Sequence, residues 1–334
     1  MIKKSVYIIA EAGVNHNGDI NLAYKLCDAA KEAGVDAVKF QTWKTEKIVT
    51  KSAEKAAYQK ENTKAEQSQF EMLKALELSY SEFIQIRDYC RKIDIQFLST
   101  PDTEEDMDFL LELGVPVLKI GSGEVTNIPF LRAIGKRRQK VILSTGMSML
   151  SDVEKAYNTL LESGAKEVSL LHCTTNYPCP YNEVNLRAMQ TIKTAFKCQV
   201  GYSDHTMGIE VPIAAVAMGA EIIEKHFTLD RTMKGPDHLA SLDPQELKLM
   251  VDSIRNIEQA LGDGIKRPNA SEIINSEVVL KRIIAKRPIK VGDILNENNL
   301  ALLRNSSGVP AKFWDLIAGK QATRDYQINE PILL

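Results

Sequence analysis

Ionisable and hydroxyl side chains recur at one kind of place in this 334-residue sequence, just after short apolar runs. In chain order they are Glu11, Lys39 with Gln41, Thr100, Lys119 with Ser122 and Glu124, Ser144, His172 with Thr174 and Thr175, Ser203 with His205, and Glu224 with His226. Two ammonium groups (Lys39, Lys119) with the hydroxyls of Thr100, Ser122, Ser144 and Ser203 suit an anion carrying both a phosphate and a carboxylate. The glycines of GSGE (121–124) allow close backbone approach to such a ligand. A lysine so placed also suits imine chemistry; a salt-bridged rim charge is the bland alternative. His205 and His226 end consecutive runs and are spaced to share one divalent metal; the competing reading is two buried histidines bonded to backbone. Glu11 and Glu124 are candidate acid or base groups, or partners for the lysines. Asp237, in the GPDH turn (235–238), is a candidate for sugar hydroxyls. His16 and His238 are also available, while His172 lies within an apolar run and reads as structural.

To act together these residues must be positioned by elements of one architecture. Eight β-like runs stand out: 6–13, 37–42, 95–100, 117–122, 140–145, 168–173, 199–204 and 221–227. Their continuous apolar character suits strands buried on both faces of a parallel sheet. Helical spacing appears between them, at 20–34 with a glycine stop, at 151–164 with Ser151 and Glu154 as a capping box, and at 208–219. A polar stretch, 51–69, reads as an excursion or lid. Eight strand–helix units in about 260 residues fit a (β/α)8 barrel, whose chemistry sits at strand C-termini. An open doubly wound sheet competes, but no GxGxxG follows the first run. The Gly-, Pro- and Asn-containing stretch LGDGIKRPNASE (261–272) breaks the pattern. The expected division is a barrel over 1–262, a linker over 263–276 and a tail over 277–334, the tail of about 60 residues being too small to stand alone.

Composition narrows the classes. The balance of 42 basic against 44 acidic residues leaves a net charge of −2, which argues against nucleic acid or an anionic membrane as partner. No apolar run approaches the length of a membrane span. The N-terminal apolar run is too short for a signal-peptide core and is interrupted by Glu11. Five cysteines without a CxxC pair suit a reducing cytoplasm.

Nine motifs in order, EAGVNHNGD (11–19), KFQT (39–42), STP (99–101), KIGSGE (119–124), STGM (144–147), HCTTNYPCP (172–180), YSDHT (202–206), EKHFTLD (224–230) and GPDH (235–238), resemble those of the sialic acid synthase family. The resemblance spans nearly the whole chain. It implies a (β/α)8 TIM barrel followed by a small antifreeze-like (SAF) domain. It also implies condensation of phosphoenolpyruvate with an open-chain 2-acetamido hexose to a nine-carbon 2-keto acid and phosphate. An N-acetylneuraminate-type reaction is the first expectation. Legionaminic or pseudaminic acid synthesis from a 2,4-diacetamido-2,4,6-trideoxy hexose is the alternative, and a Schiff-base pyruvate aldolase or a non-catalytic sugar-binding barrel is more distant. By the same resemblance Lys39, Gln41, Thr100, Lys119, Ser122, Ser144 and Ser203 bind phosphoenolpyruvate. His205 and His226 hold Mn²⁺, with Mg²⁺ or Co²⁺ as alternatives, and Glu11, Glu124, Tyr177 and Asp237 face the sugar or reacting centre. Thr175 or Asn176 fills the place of a family asparagine. The family often has Phe where this chain has Asp102, and an Arg-Pro-Gly turn where it has RNSSGV (304–309). The resemblance further implies a domain-swapped homodimer in which Arg304 reaches the partner's substrate.

Overall fold

The computed structural model describes residues 5–63 and 67–333. Residues 64–66 of the polar excursion and residue 334 of the expected tail lie outside the described residues. The chain divides into two compact units, Met1–Gly262 and Asp263–Leu334.

The first unit is built on eight strands: β1 (Tyr7–Gly13), β2 (Ala37–Thr42), β3 (Gln96–Pro101), β4 (Leu118–Ile120), β5 (Lys140–Ser144), β6 (Glu167–Cys173), β7 (Val200–Asp204) and β8 (Ile222–His226). All paired neighbours run parallel, in the order β3-β2-β1-β8-β7-β6-β5-β4. The outermost two, β3 and β4, pack side by side and close the ring. Parallel pairing demands a crossover after each strand, and helices supply it. The helix Ile20–Ala33 begins where the Asp19 carboxylate accepts from Asn21 N–H and ends at Gly34, whose φ of 82° suits glycine. The helix expected from Ser151 instead begins one residue earlier and runs Leu150–Glu162. Asp152, not Glu154, accepts the Met149 N–H, because the chain already leaves extended geometry at Met149.

Successive side chains of a strand point to opposite faces. The inward positions hold Ile9, Ala37, Leu98, Ile142, Leu171 and Ile222, which pack together in the barrel. Two residues further along the same strands come Glu11, Lys39, Thr100, Ser144, Cys173 and Glu224. The apolar layer is thus the floor of a polar one, and the outward positions join the larger core beneath the helices.

The second unit departs from the expected division in one place. The stretch read as linker contains a helix, Ala270–Val279. The tail, small as it is, has its own core of Ile283, Ile289, Leu295, Leu300, Tyr326 and Ile332. That core is organised around the antiparallel strands β9 (Lys281–Ala285) and β10 (Leu300–Arg304).

Gly201 of β7 faces the barrel interior, where an added Cβ would meet the Ile222 carbonyl oxygen and come within 2.6 Å of Leu171 Cδ2. Gly201→Ala is expected to destabilise the barrel by about 1–3 kcal/mol, read as a lower urea midpoint at unchanged slope.

Candidate active site

The polar layer surrounds a cavity of about 190 Å³ at the C-terminal ends of the strands. Larger hollows, of about 510 and 560 Å³, lie at the opposite end among Asp36, Gln96 and Pro116. They hold no comparable convergence of lysines, carboxylates and imidazoles, so chemistry and not size selects the smaller one.

Two lysines and two glutamates form the base of the site, all four nearly inaccessible. Lys39 Nζ lies 2.7 Å from Glu11 Oε2 and 3.7 Å from Glu224 Oε2, and donates to Thr100 Oγ1 at 2.8 Å. Lys119 Nζ lies 3.3 Å from Glu224 Oε1 and donates to Ser144 Oγ at 2.8 Å. Ser203 Oγ donates to Glu224 Oε1, and Gln41 Nε2 to Glu11 Oε1, each at 2.9 Å. Burial alone would push the Glu224 carboxyl up, but Lys119 and Lys39 outweigh it and hold it at about 2. Burial also acts on Lys39, where Glu11 and Glu224 prevail and its pKa rises. Lys119 has less compensation, so burial, with Lys39 nearby, lowers its pKa. Burial and the neighbouring Glu224 keep Glu11 raised against the pull of Lys39. Ser122, whose Oγ accepts the Gly146 N–H at 2.9 Å, completes the hydroxyl set beside Cys173.

Above this base sit His205 and His226, ring centroids 5.4 Å apart. His205 Nδ1 bonds the Thr174 carbonyl at 2.6 Å, which makes it the protonated nitrogen and leaves the Nε2 lone pair for a ligand. His226 Nδ1 is buried without a hydrogen-bond partner, 3.7 Å from Asp237 Oδ2. Burial lowers both imidazole pKa values, and His205 lowers that of His226 further, so both rings are neutral at pH 7. Two neutral imidazoles, one with an orphaned nitrogen, fit a divalent cation that keeps open positions. Among the described residues no group of three or more His, Cys, Asp or Glu is arranged to hold one. The Tyr177 ring lies tilted against that of His205, centroids 4.1 Å apart, and Thr175 Oγ1 is buried without a partner at the cavity wall. Thr175 and not Asn176 therefore faces the cavity.

Most residues singled out from the sequence converge here, with instructive exceptions. Glu124 does not line the cavity; it sits on the 3-10 turn Ser122–Glu124 and its carboxylate accepts from Asn127 Nδ2. Glu224, noted at a strand end but given no role, occupies the centre of the lysine pair. Strand alternation would have found it, being two residues beyond Ile222. Arg304 is exposed at the end of β10 in the second unit. His16 and His238 are structural: His16 Nδ1 accepts Gly18 N–H, and His238 bonds Thr228 and Asn17. His172 bonds the Val184 carbonyl, as a structural histidine should. From the excursion, the helix Ala57–Thr63 reaches the site. Tyr58 packs 4.9 Å from Tyr177, and Asn62 Nδ2 donates to the carbonyls of Pro236 and Tyr177 at 2.7 and 3.3 Å.

Fold and site together define a TIM barrel with a cationic, carboxylate-balanced pocket beside a histidine pair, carrying a second small unit. A profile of the NeuB family matches residues 26–266 and one of the SAF domain residues 282–334. The N,N'-diacetyllegionaminic acid synthase of Campylobacter jejuni is 50% identical over 98% of this chain and 99% of its own length. That of Legionella pneumophila is 47% identical over 98% and 93%. The solved N-acetylneuraminic acid (sialic acid) synthetase of Leptospira borgpetersenii superposes with a TM-score of 0.73 at 38% identity, over 83% of this chain and 93% of its own. The chain belongs to the NeuB family, the sialic acid synthases.

Asp102 stands on the cavity wall two residues beyond Thr100 and makes no side-chain hydrogen bond or ion pair among the described residues. Burial, with Glu124 and Asp106 nearby and Lys39 opposing, raises its carboxyl from 3.8 to about 7. The folded chain therefore retains a proton that the unfolded chain releases, and this group's contribution to stability falls as pH rises between those values. Asp102→Asn is expected to be more stable than the wild type at pH 8, by at most about 4 kcal/mol. The advantage should vanish as pH approaches 3.8; urea denaturation at both pH values reads it.

Proposed function

We propose that this protein condenses phosphoenolpyruvate with an open-chain 2,4-diacetamido-2,4,6-trideoxy hexose, giving a nine-carbon 2-keto acid of the legionaminic type and phosphate. The observation that carries the reaction class is the pairing of Lys39 and Lys119 with Glu11 and Glu224 in one cavity beside two neutral imidazoles. For the sugar, the two diacetyllegionaminic acid synthases at 50% and 47% identity favour the diacetamido hexose over N-acetylmannosamine, the first expectation from sequence.

In this reading the ammonium groups of Lys39 and Lys119, with the hydroxyls of Thr100, Ser122, Ser144 and Ser203 and the Gln41 amide, hold the phosphate and carboxylate. Tyr177, Thr175 and Asp237 face the sugar. His205 and His226 hold a divalent cation, Mn²⁺ first among the candidates, which when bound polarises the aldehyde oxygen. C3 of phosphoenolpyruvate forms a bond to the aldehyde carbon as the C2–C3 π pair leaves C2 and the aldehyde π pair passes to its oxygen, which takes up the proton given up by the water that later adds to C2. The positive charge developing at C2 is stabilised by the carboxylates of Glu224 and Glu11. Glu224, held ionised by two lysines, keeps its charge throughout. Glu11, with its raised pKa, is suited to accept the proton of the water that adds to C2. Breaking the C2–O bond of the tetrahedral adduct then releases phosphate. Glu124, the first choice from sequence alone to compensate the charge at C2, takes no part in this reading.

A second reading has one specific observation in its favour: the lowered pKa of Lys119 is what an imine-forming lysine requires. Labelling decides between them. Bridging ¹⁸O in phosphoenolpyruvate should leave entirely with the phosphate, and borohydride should trap nothing on Lys119. Label kept in the keto acid, or a reduced Lys119 adduct, overturns the synthase. Phosphate release should need Mn²⁺ after chelation, be lost in His226→Ala, and be faster with the diacetamido hexose than with N-acetylmannosamine.

The assembly we propose is a homodimer in the cytoplasm in which Arg304 serves the partner's site. Support comes from exposed apolar side chains in each unit: Ile273, Ile274 and Val278 on the helix Ala270–Val279, and Met147, Met149 and Met207 on the barrel. Surfaces of this kind are usually covered. No described helix is long and apolar enough to cross a membrane. Mixing inactive Arg304→Ala and Lys119→Ala chains should restore about one site per mixed dimer, since both defects then fall in the same site and leave the other intact. Mixed dimers as inactive as both parents would exclude action of Arg304 across the interface.

A further inference from the structure

His205 lies one residue beyond the end of β7, so strand pairing does not hold its backbone. The last paired positions are Ser203 with Glu224 and Asp204 with Lys225. Alternation turns the first pair inward, to the cavity, and the second outward, beneath the helices. Asp204 and Lys225 are completely buried there. Lys225 Nζ donates to Asp204 Oδ2 at 2.5 Å and also to the Thr206 carbonyl. Thr206 returns its hydroxyl proton to the Asp204 carboxylate, its Oγ1 lying 2.9 and 3.0 Å from the two oxygens, and its N–H donates to the same group at 3.1 Å. One ammonium group therefore grips the residues immediately before and after His205, and it belongs to the residue immediately before His226.

We propose that Lys225 is a positioning residue: through Asp204 and Thr206 its ammonium group holds His205 at a set separation from His226, so that the two imidazoles act on one cation. A buried ion pair is a poor choice for stability alone, because desolvation offsets most of its attraction and apolar replacements of similar volume are often neutral. What an apolar pair would not supply is direction. Dispersion contacts let the 205–206 backbone slide, whereas the ammonium bond to the Thr206 carbonyl and the Asp204 carboxylate's bond from the Thr206 N–H fix two of its atoms. The other restraints on this segment, from the Thr174 carbonyl to the His205 ring and from Cys179 N–H to the His205 carbonyl, come from the loop after β6 and do not tie it to β8.

The inference rests on the metal reading above, and the experiment separates the two. Mn²⁺ alone is titrated calorimetrically into the full chain and into the Asp204→Leu/Lys225→Met double variant, and thermal melts and phosphoenolpyruvate binding are measured on both. The double variant is expected to melt close to the wild type and bind phosphoenolpyruvate normally, with Mn²⁺ affinity weakened at least about tenfold. Unchanged Mn²⁺ affinity in a folded double variant overturns the clamp, as does an equal loss for both ligands. If the double variant does not fold, Asp204→Asn, which keeps an oxygen acceptor, reads the same quantity: weakened Mn²⁺ binding supports the clamp and wild-type binding overturns it. If the wild type itself binds no Mn²⁺, the metal reading falls. The clamp is then judged on the ring-proton resonances of His205 and His226 in metal-free protein, displaced in the variant if it holds and unmoved if it does not.

Discussion

An ammonium group removed from water needs a counter-charge close by, and this barrel buries two of them in one layer. Glu224 lies within ion-pair distance of both, with Glu11 on the far side of Lys39. Much of the site follows from that arrangement. The carboxylates keep the pocket near neutrality when empty, the lysines keep Glu224 ionised, and the hydroxyls of Thr100, Ser144 and Ser203 are oriented by the charges they bond. An anion entering this layer meets groups already desolvated and already aimed, which is the condition for electrostatic catalysis rather than mere attraction.

The same alternation that builds the charged layer separates it from its support. Inward positions carry the apolar floor, then the lysine–glutamate layer, then the imidazoles. Outward positions carry the core under the helices and, at the C-terminal end of β7 and β8, the Asp204–Lys225 pair. Positioning groups and reacting groups thus alternate residue by residue along one strand. This gives the site rigidity from behind while its front stays open to a ligand.

Loops add what strands cannot. Tyr177 and Asp237 come from the segments after β6 and β8, and the helix Ala57–Thr63 joins both through Asn62 and Tyr58. These contacts fall on the sugar side of the proposed reaction. The proposed anion side is built almost wholly from strand ends, while the relatives are named for different acids, legionaminic, pseudaminic and N-acetylneuraminate-9-phosphate.

Local pattern determined a good deal by itself. Each of the eight runs became a strand within a few residues of its expected bounds, because a parallel strand buried on both faces writes its burial into consecutive residues. The polar ends of those runs were equally legible, and so was the pairing of Lys39, Lys119, His205 and His226 with a common mouth. Tertiary structure decided the rest, wherever the deciding partner lies far along the chain. Glu224 acquires its ion pairs from lysines 185 and 105 positions away. The helix inside the expected linker and the core of the small tail were likewise hidden, since Pro, Gly and Asn mark a boundary but do not say what packs beyond it. Spacing along a strand reports which face a residue occupies. Only closure of the ring sets which charges share that face, and so which of them are ionised.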